Sequence, residues 1–156
     1  EFCNDQGLPM VSLVDAPGFM VGPDSEKEGA PRRMGKLFKS SSTFKNNLVS
    51  IFLRKGYGLG AQAIVGGSLH KSTYTCAWPS GEFGGMGLEG AVKLGYKKEL
   101  EAISDQKDKE ILYNKLVDKM YEAGQAMEAA SFLEIDAVID PSKTRETIIK
   151  AQHSPK

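Results

Sequence analysis

Val49-Ser-Ile-Phe-Leu-Arg-Lys-Gly-Tyr-Gly-Leu-Gly-Ala-Gln-Ala63 decides how the rest of the chain reads. Leu48 to Leu53 is an apolar run suited to a buried strand. It ends at Arg54 and Lys55 and passes into Gly56, Gly58 and Gly60 before small residues open a helix. Alternating glycines at a strand-to-helix turn allow backbone N–H groups to approach a ligand with no Cβ in the way. Two such donors aimed at one point can hold an oxygen on which negative charge develops. Gly60 and Ala61 are the expected donors, and Leu59 is a third candidate because the glycines alone do not set the register. The same glycines would equally serve a plain turn that closes a βα unit.

Composition narrows the class. The 156 residues suit one domain, and 40% hydrophobic with 26% charged residues is ordinary for a globular protein. Twenty basic and twenty acidic residues cancel, so no global field draws the chain to nucleic acid or an anionic membrane. The local cluster Pro31-Arg-Arg33 with Lys36 reads as a solvated helix face. There is no apolar run of roughly 18 residues for a membrane span, and residues 1–8 are polar, without the pattern of a signal peptide. Cys3 and Cys76 have no partner at metal-ligand spacing and read as two reduced thiols, which makes a cytoplasmic protein the expectation. Glu1-Phe-Cys-Asn-Asp-Gln-Gly7 looks like the tail of a helix, so a fragment of a longer chain is expected.

Along the chain, Gly7 stops that first helix, and Met10 to Val14 is expected to be a strand buried on both faces. Asp15-Ala-Pro-Gly18 breaks the strand; Asp15 either faces an active-site edge or holds the turn through its side chain. Asp24-Ser25 is expected to cap a helix to about Phe44, weakened early by Gly29, Pro31 and Gly35, with Met34, Leu37 and Phe38 on one face. Gln62 to Gly67 reads as a short helix of small residues. Ser72 to Trp78 reads as a strand with Tyr74, Cys76 and Trp78 on one face, and Trp78 as a core or interface anchor. Gly87 opens a second glycine-flanked helix toward the same region. A helix over 97–103 precedes another capped by Ser104-Asp105, in which Ile111, Leu112, Leu116, Val117 and Met120 form a core or contact stripe. A strand at 134–140 stops at Pro141, a last helix runs to Ala151, and 152–156 is expected to be disordered.

Side-chain catalysis finds little support. His70 and His153 are the only histidines. No serine stands in a G-x-S-x-G elbow, and neither H-E-x-x-H nor any other metal spacing occurs, so no metal is expected. A P-loop and a G-x-G-x-x-G dinucleotide fingerprint are absent too. Backbone chemistry remains.

Three further stretches accompany the glycine turn: Pro9-Met-Val-Ser-Leu-Val-Asp-Ala-Pro-Gly-Phe-Met-Val-Gly-Pro23, Ala77-Trp-Pro-Ser-Gly-Glu-Phe-Gly-Gly-Met-Gly-Leu-Glu-Gly-Ala-Val92 and Phe132-Leu-Glu-Ile-Asp-Ala-Val-Ile-Asp-Pro141. In this order and spacing the chain resembles the carboxyltransferase (β) subunits of biotin-dependent acyl-CoA carboxylases, nearest the propionyl-CoA carboxylase β group, from about residue 1 to 150. It matches only the C-terminal, biotin-facing half of such a subunit. The resemblance implies an α/β fold, the crotonase/ClpP-like ββα spiral. It also implies a ligase/transferase activity: carboxyl transfer from carboxybiotin to the α-carbon of a short-chain acyl-CoA of acetyl or propionyl type.

By resemblance, Gly58, Leu59, Gly60 and Ala61 would bind the biotin, with the N–H groups of Gly60 and Ala61 on its ureido oxygen. Ala63 would line the acyl pocket. The implied cofactor is biotin on a carrier protein. The implied partners are acyl-CoA, the N-terminal carboxyltransferase half, the biotin carboxyl carrier and biotin carboxylase components, and further copies in a dimer-based homo-oligomer, a hexamer among its forms. Because the family builds its site between the N-terminal half of one subunit and the C-terminal half of another, the chain alone is expected to be inactive. Two departures stand out: Asn47 where the group often has Pro, and Gly58-Leu59-Gly60 in place of a more compact glycine pair, closer to some branched-chain relatives. Glu82 falls where other crotonase-fold enzymes carry an acid/base glutamate, and is read as structural here. A biotin-dependent malonyl- or methylmalonyl-CoA decarboxylase subunit, and a non-catalytic assembly domain, are the alternatives.

Overall fold

A computed structural model describes residues 1–153. Its centre is strand β2 (Leu48–Tyr57), ten residues long. On one edge it pairs in parallel with β1 (Met10–Ala16). On the other edge it pairs in parallel first with β3 (Tyr74–Ala77) and then, further along, with β4 (Glu82–Gly84). β5 (Ala137–Val138) extends the sheet beside β3, again in parallel. Parallel neighbours need crossovers, and the helices supply them.

Both faces of β2 are covered, as its uninterrupted apolar run requires. Phe52 faces one side with Val14 and Ala16, against Ala61 and Val65 of the helix that follows β2. Val49 and Ile51 face the other side with Cys76, under Ile148 and Ala151 of the last helix. Trp78 joins this second cluster, and its indole N–H donates to Thr144 Oγ1 at 2.9 Å, so it is the anchor expected of it. Burial pushes the Cys76 thiol up to about 11, which keeps it protonated at neutral pH.

β1 departs from expectation. Ser12, Val14 and Ala16 are buried, but Leu13 on the opposite face is 58% exposed. β1 lies at the sheet edge, while the last helix packs over β2. Asn47, one of the two departures noted above, has a use: its side-chain amide donates to the Gln152 carbonyl at 2.8 Å and ties the start of β2 to the end of the last helix.

The helices follow their local chemistry. α1 (Phe2–Asp5) ends before Gly7, which has a φ of 66°. The single helix expected from Asp24 to Phe44 is two, α2 (Pro23–Lys27) and α3 (Ala30–Ser42). Gly29 between them is left-handed, and Pro31 sits in the first turn of α3, where a missing N–H costs nothing. Helix α4 (Gly58–Ile64) begins four residues earlier than expected, because Gly58, with φ 59°, turns the chain directly out of β2. α5 (Leu88–Gly95), α6 (Lys97–Glu101) and α7 (Gln106–Ala123) follow, and the Asp105 carboxylate caps α7 through the N–H groups of Lys107 and Asp108.

The α7 stripe is half-buried at most, and Ile111 is exposed, so it forms a contact face and not a core. Tyr121 fastens α7 to α5 by donating to Glu89 at 2.6 Å, a bond that helps push its phenol up to about 12. α8 (Ala126–Ser131) is followed by a short 3₁₀ turn (Pro141–Lys143) and α9 (Thr144–Gln152). Gln152 therefore belongs to the last helix, and 154–156 of the segment expected to be disordered lie outside the described residues.

The end of α8 carries backbone strain. Leu133 N–H bonds the Ala130 carbonyl and Glu134 N–H the Ala129 carbonyl, the pattern that places residue 133 in a left-handed conformation. Leu133 has φ 59° and is 80% exposed, so a leucine occupies a position that favours glycine and gains no burial in return. Relief of roughly 1–2 kcal/mol is partly offset by the extra entropy of an unfolded glycine. We expect Leu133→Gly to raise stability by a few tenths to about 1 kcal/mol in urea melts. A loss of stability would show that the exposed side chain holds a contact.

Candidate functional site

The site is built where β2 runs into α4. Tyr57 is the N-cap, and its carbonyl accepts the first intrahelical bond, from Ala61 N–H. The N–H groups of Gly58, Leu59 and Gly60 are left without an intrahelical acceptor. Gly60 and Ala61 are both buried in this first turn, Ala61 also lines the cavity beside it, and Leu59 is exposed. The register was ambiguous in sequence because the helix start lay hidden inside the glycines.

Steric necessity explains two of these glycines. A Cβ on Gly58 would stand 2.7 Å from the Gly85 carbonyl oxygen, at a φ few residues adopt. A Cβ on Gly60 would stand 2.9 Å from the carbonyl carbon of Gly18 and 3.1 Å from Phe19 N. Three of the quoted motifs therefore meet at this turn: Asp15-Ala-Pro-Gly18 on one side and Gly84-Gly85 on the other. That the Gly18 backbone packs on Gly60 was not legible in either motif alone. The turn leaves one side chain pointing outward, Leu59, which is exposed.

Asp15 proves structural, by a route different from the turn expected. The β1–β2 register shifts between Val14 and Ala16, where β2 accommodates two extra residues. The Asp15 carboxylate fills that gap: Arg54 Nη2 lies 2.9 Å away, and Lys55 N–H donates at 3.2 Å. The Arg54 hydrogen bond, reinforced by the Lys55 amide, holds the carboxyl below its usual range. A lowered pKa in the folded state contributes stability above the unfolded value, near pH 4, that is lost as pH falls through the folded value. Urea midpoints of the parent and Asp15→Asn should therefore differ at neutral pH and converge below about pH 4; a constant gap would contradict this role.

Glu82 is likewise engaged. Tyr57, almost fully buried, donates its phenol to Glu82 Oε2 at 2.5 Å. Burial, then this bond, raises the Tyr57 pKa far enough that it remains a donor at neutral pH. Ala63 has no exposed surface; its carbonyl accepts from Ser41 Oγ at 2.7 Å, so it packs α4 against α3 and does not face a cavity.

Beside the turn lies a cavity of about 340 Å³ whose walls include Gly56, Gly58, Ala61, Gly84, Gly85 and Phe132. The glycine wall is completed by side chains, among them Gln62, Leu69, Phe83, Glu128 and Glu134. Among the described residues no group of three or more His, Cys, Asp or Glu could hold a metal ion, and no helix is long and apolar enough to cross a membrane.

This is an α/β architecture of the crotonase type, with its glycine turn at the carboxyl end of the central strand. The chain belongs to the carboxyl transferase domain family, which matches residues 1–156. It is 34% identical to the propionyl-CoA carboxylase carboxyltransferase subunit of Haloferax mediterranei, over 96% of this chain and 28% of that protein. It is 33% identical to the methylmalonyl-CoA carboxyltransferase 12S subunit of Propionibacterium freudenreichii, over 97% of this chain and 28% of that protein. Among solved structures, a single-chain, multi-domain long-chain acyl-CoA carboxylase superposes with a TM-score of 0.83 at 47% identity, over 96% of this chain and 14% of that one. The transcarboxylase 12S hexamer superposes at 0.85 with 32% identity, over 96% of this chain and 28% of that one. The chain thus spans under a third of the length of these relatives.

Proposed function

We propose that this chain is the C-terminal, biotin-side part of a carboxyltransferase that moves a carboxyl group between biotin and the α-carbon of an acyl-CoA. The observation that carries the reading is the α4 first turn, where two sterically obligatory glycines stand at the end of the central strand beside a cavity, within a chain matched along its whole length by this family. Biotin, when bound, supplies an activated carboxyl group and, once relieved of it, a basic nitrogen. The chain's own residues orient and stabilise. Gly60 N–H, with the Ala61 or Leu59 N–H beside it, donates to the ureido oxygen as charge gathers there, each donor lowering the barrier by about 3 kcal/mol. Tyr57 and Glu82 brace the strand beneath the turn. The oxyanion hole for the thioester, the CoA contacts and the remaining partners belong to the N-terminal half and to the carrier and biotin carboxylase components.

A short acyl group is suggested by the propionyl- and methylmalonyl-CoA relatives, and a longer one by the higher identity to the long-chain enzyme. The test is biocytin-dependent carboxyl removal from malonyl-CoA and methylmalonyl-CoA, by this chain alone and by a full-length carboxyltransferase that contains it. Activity in the longer protein alone is expected. Absence of biocytin dependence in both would overturn the reading and leave the assembly-domain alternative.

A further inference from the structure

A carboxylate close to a reaction cavity is the natural candidate for carrying a proton, yet Glu82 is engaged elsewhere. Its Oε2 accepts the phenol of Tyr57 at 2.5 Å, and Tyr57 is only 2% exposed. A bond this short, from a buried hydroxyl to a carboxylate, is of the strong, charge-assisted kind. Its two ends belong to two walls of the cavity beside the glycine turn. Tyr57 closes β2 and is the N-cap of α4, one residue before Gly58. Glu82 opens β4, and the three residues after it, Phe83, Gly84 and Gly85, line the cavity together with Gly58 and Ala61. The main chain joins the same walls, with Gly56 paired to Phe83 and Tyr57 to Gly84. Phe83 N–H donates in turn to the Gly124 carbonyl at 2.7 Å, which holds β4 to the end of α7. The turn itself offers few side chains by which it could be held. Gly58 and Gly60 have none, and Leu59 is exposed.

We propose that Glu82 is a positioning residue: acting through Tyr57, it fixes the first-turn amides of α4 against the Gly84–Gly85 wall. For this it must supply an acceptor oxygen, and neither a proton nor a charge. The inference rests on the carboxyltransferase reading and deepens it, by naming the residue that sets the donor geometry and giving it no part in proton transfer. Releasing the Tyr57 hydroxyl frees the flank from which the turn is aimed. A donor displaced by about 1 Å from a developing charge costs on the order of a hundredfold in rate. Interactions made only as charge develops appear in kcat, so ground-state binding of the thioester should be little affected.

The test compares Glu82→Gln, Glu82→Ala and Tyr57→Phe in a full-length carboxyltransferase that contains this chain. The readouts are kcat and KM for biocytin-dependent carboxyl removal from methylmalonyl-CoA, and hydrogen exchange of the backbone over 57–64. Glutamine keeps a carbonyl oxygen for the Tyr57 hydroxyl, so Glu82→Gln should stay within about threefold of the parent in kcat, with unchanged exchange. Glu82→Ala and Tyr57→Phe should each lower kcat at least about tenfold, leave KM for methylmalonyl-CoA nearly unchanged and speed exchange over 57–64. Phenylalanine retains the ring that fills the buried site, and circular dichroism confirms that each variant is folded. Equal loss in Glu82→Gln and Glu82→Ala, with Tyr57→Phe near the parent, would overturn the proposal in favour of proton transfer. A lower melting temperature in Glu82→Ala and Tyr57→Phe, with kcat and exchange unchanged, would overturn it in favour of a merely structural bond. A parent without biocytin dependence would sink the carboxyltransferase reading, while the exchange result decides separately whether this bond fixes the turn.

Discussion

Gly60→Ala is expected to abolish measurable carboxyl transfer and to destabilise the fold by about 1–3 kcal/mol. The added methyl would lie 2.9 Å from the Gly18 carbonyl carbon and 3.0 Å from its Cα. Both are backbone atoms at the end of β1, so no rotamer change can make room. Either the Gly18 loop is displaced or α4 tilts, and both would move the proposed donor at Gly60 and its neighbour off their common target. A misplacement of about 1 Å at such donors costs on the order of a hundredfold in rate. The loss therefore combines packing with chemistry, and the two separate by experiment. A urea melt reports the first, and a melt unchanged from the parent would mean that the Gly18 contact is not as close as described.

The second large effect is on stability. Phe52 has no exposed surface, and it sits at the centre of the cluster joining β1, β2, α4 and α8. Its ring lies 4.7 Å from that of Phe83, and it fills the space above Gly56, where a Cβ would come within 2.6 Å of the ring. Phe52→Ala should cost about 3–5 kcal/mol, the sum of lost burial and the cavity left behind. A domain of this size has only about 5–15 kcal/mol to lose, so the variant should be marginal at 37 °C. A cost under about 1 kcal/mol, read from urea melts, would mean that the cluster collapses around the deletion.

Much of this was legible in the residues because the cues were local. The β2 run, the Asp105 cap and the break at Gly7 each follow from short-range chemistry, and the structure has all three. Trp78, Tyr74 and Cys76 share a face because strand side chains alternate. What stayed hidden depends on residues far apart in the chain. The burial of one face of β1 only follows from its place at the sheet edge, which no pattern within Met10–Ala16 reveals. Asp15 bonds forty residues away to β2 because the register shifts there. The approach of α3 to α4 at Ala63, closed by the Ser41 hydroxyl on its carbonyl, likewise joins residues twenty-two apart.

The donor pair shows the same division. The glycines marked the turn, while the N-cap at Tyr57 fixed where the helix begins. Gly58 and Gly60 both looked like concessions to a ligand. In the structure each makes room for a neighbouring backbone.

The most direct measurement replaces single backbone amides by esters in the full-length carboxyltransferase, which removes one N–H without adding an atom near Gly18. With an α-hydroxy acid at position 60, biocytin-dependent carboxyl removal should fall about 10²–10³-fold while the melting curve stays close to that of the parent. The same change at positions 59 and 61 identifies the second donor, which is the one that costs a comparable factor. Full activity with the ester at 60 would contradict the central claim that the first turn of α4 holds the developing charge.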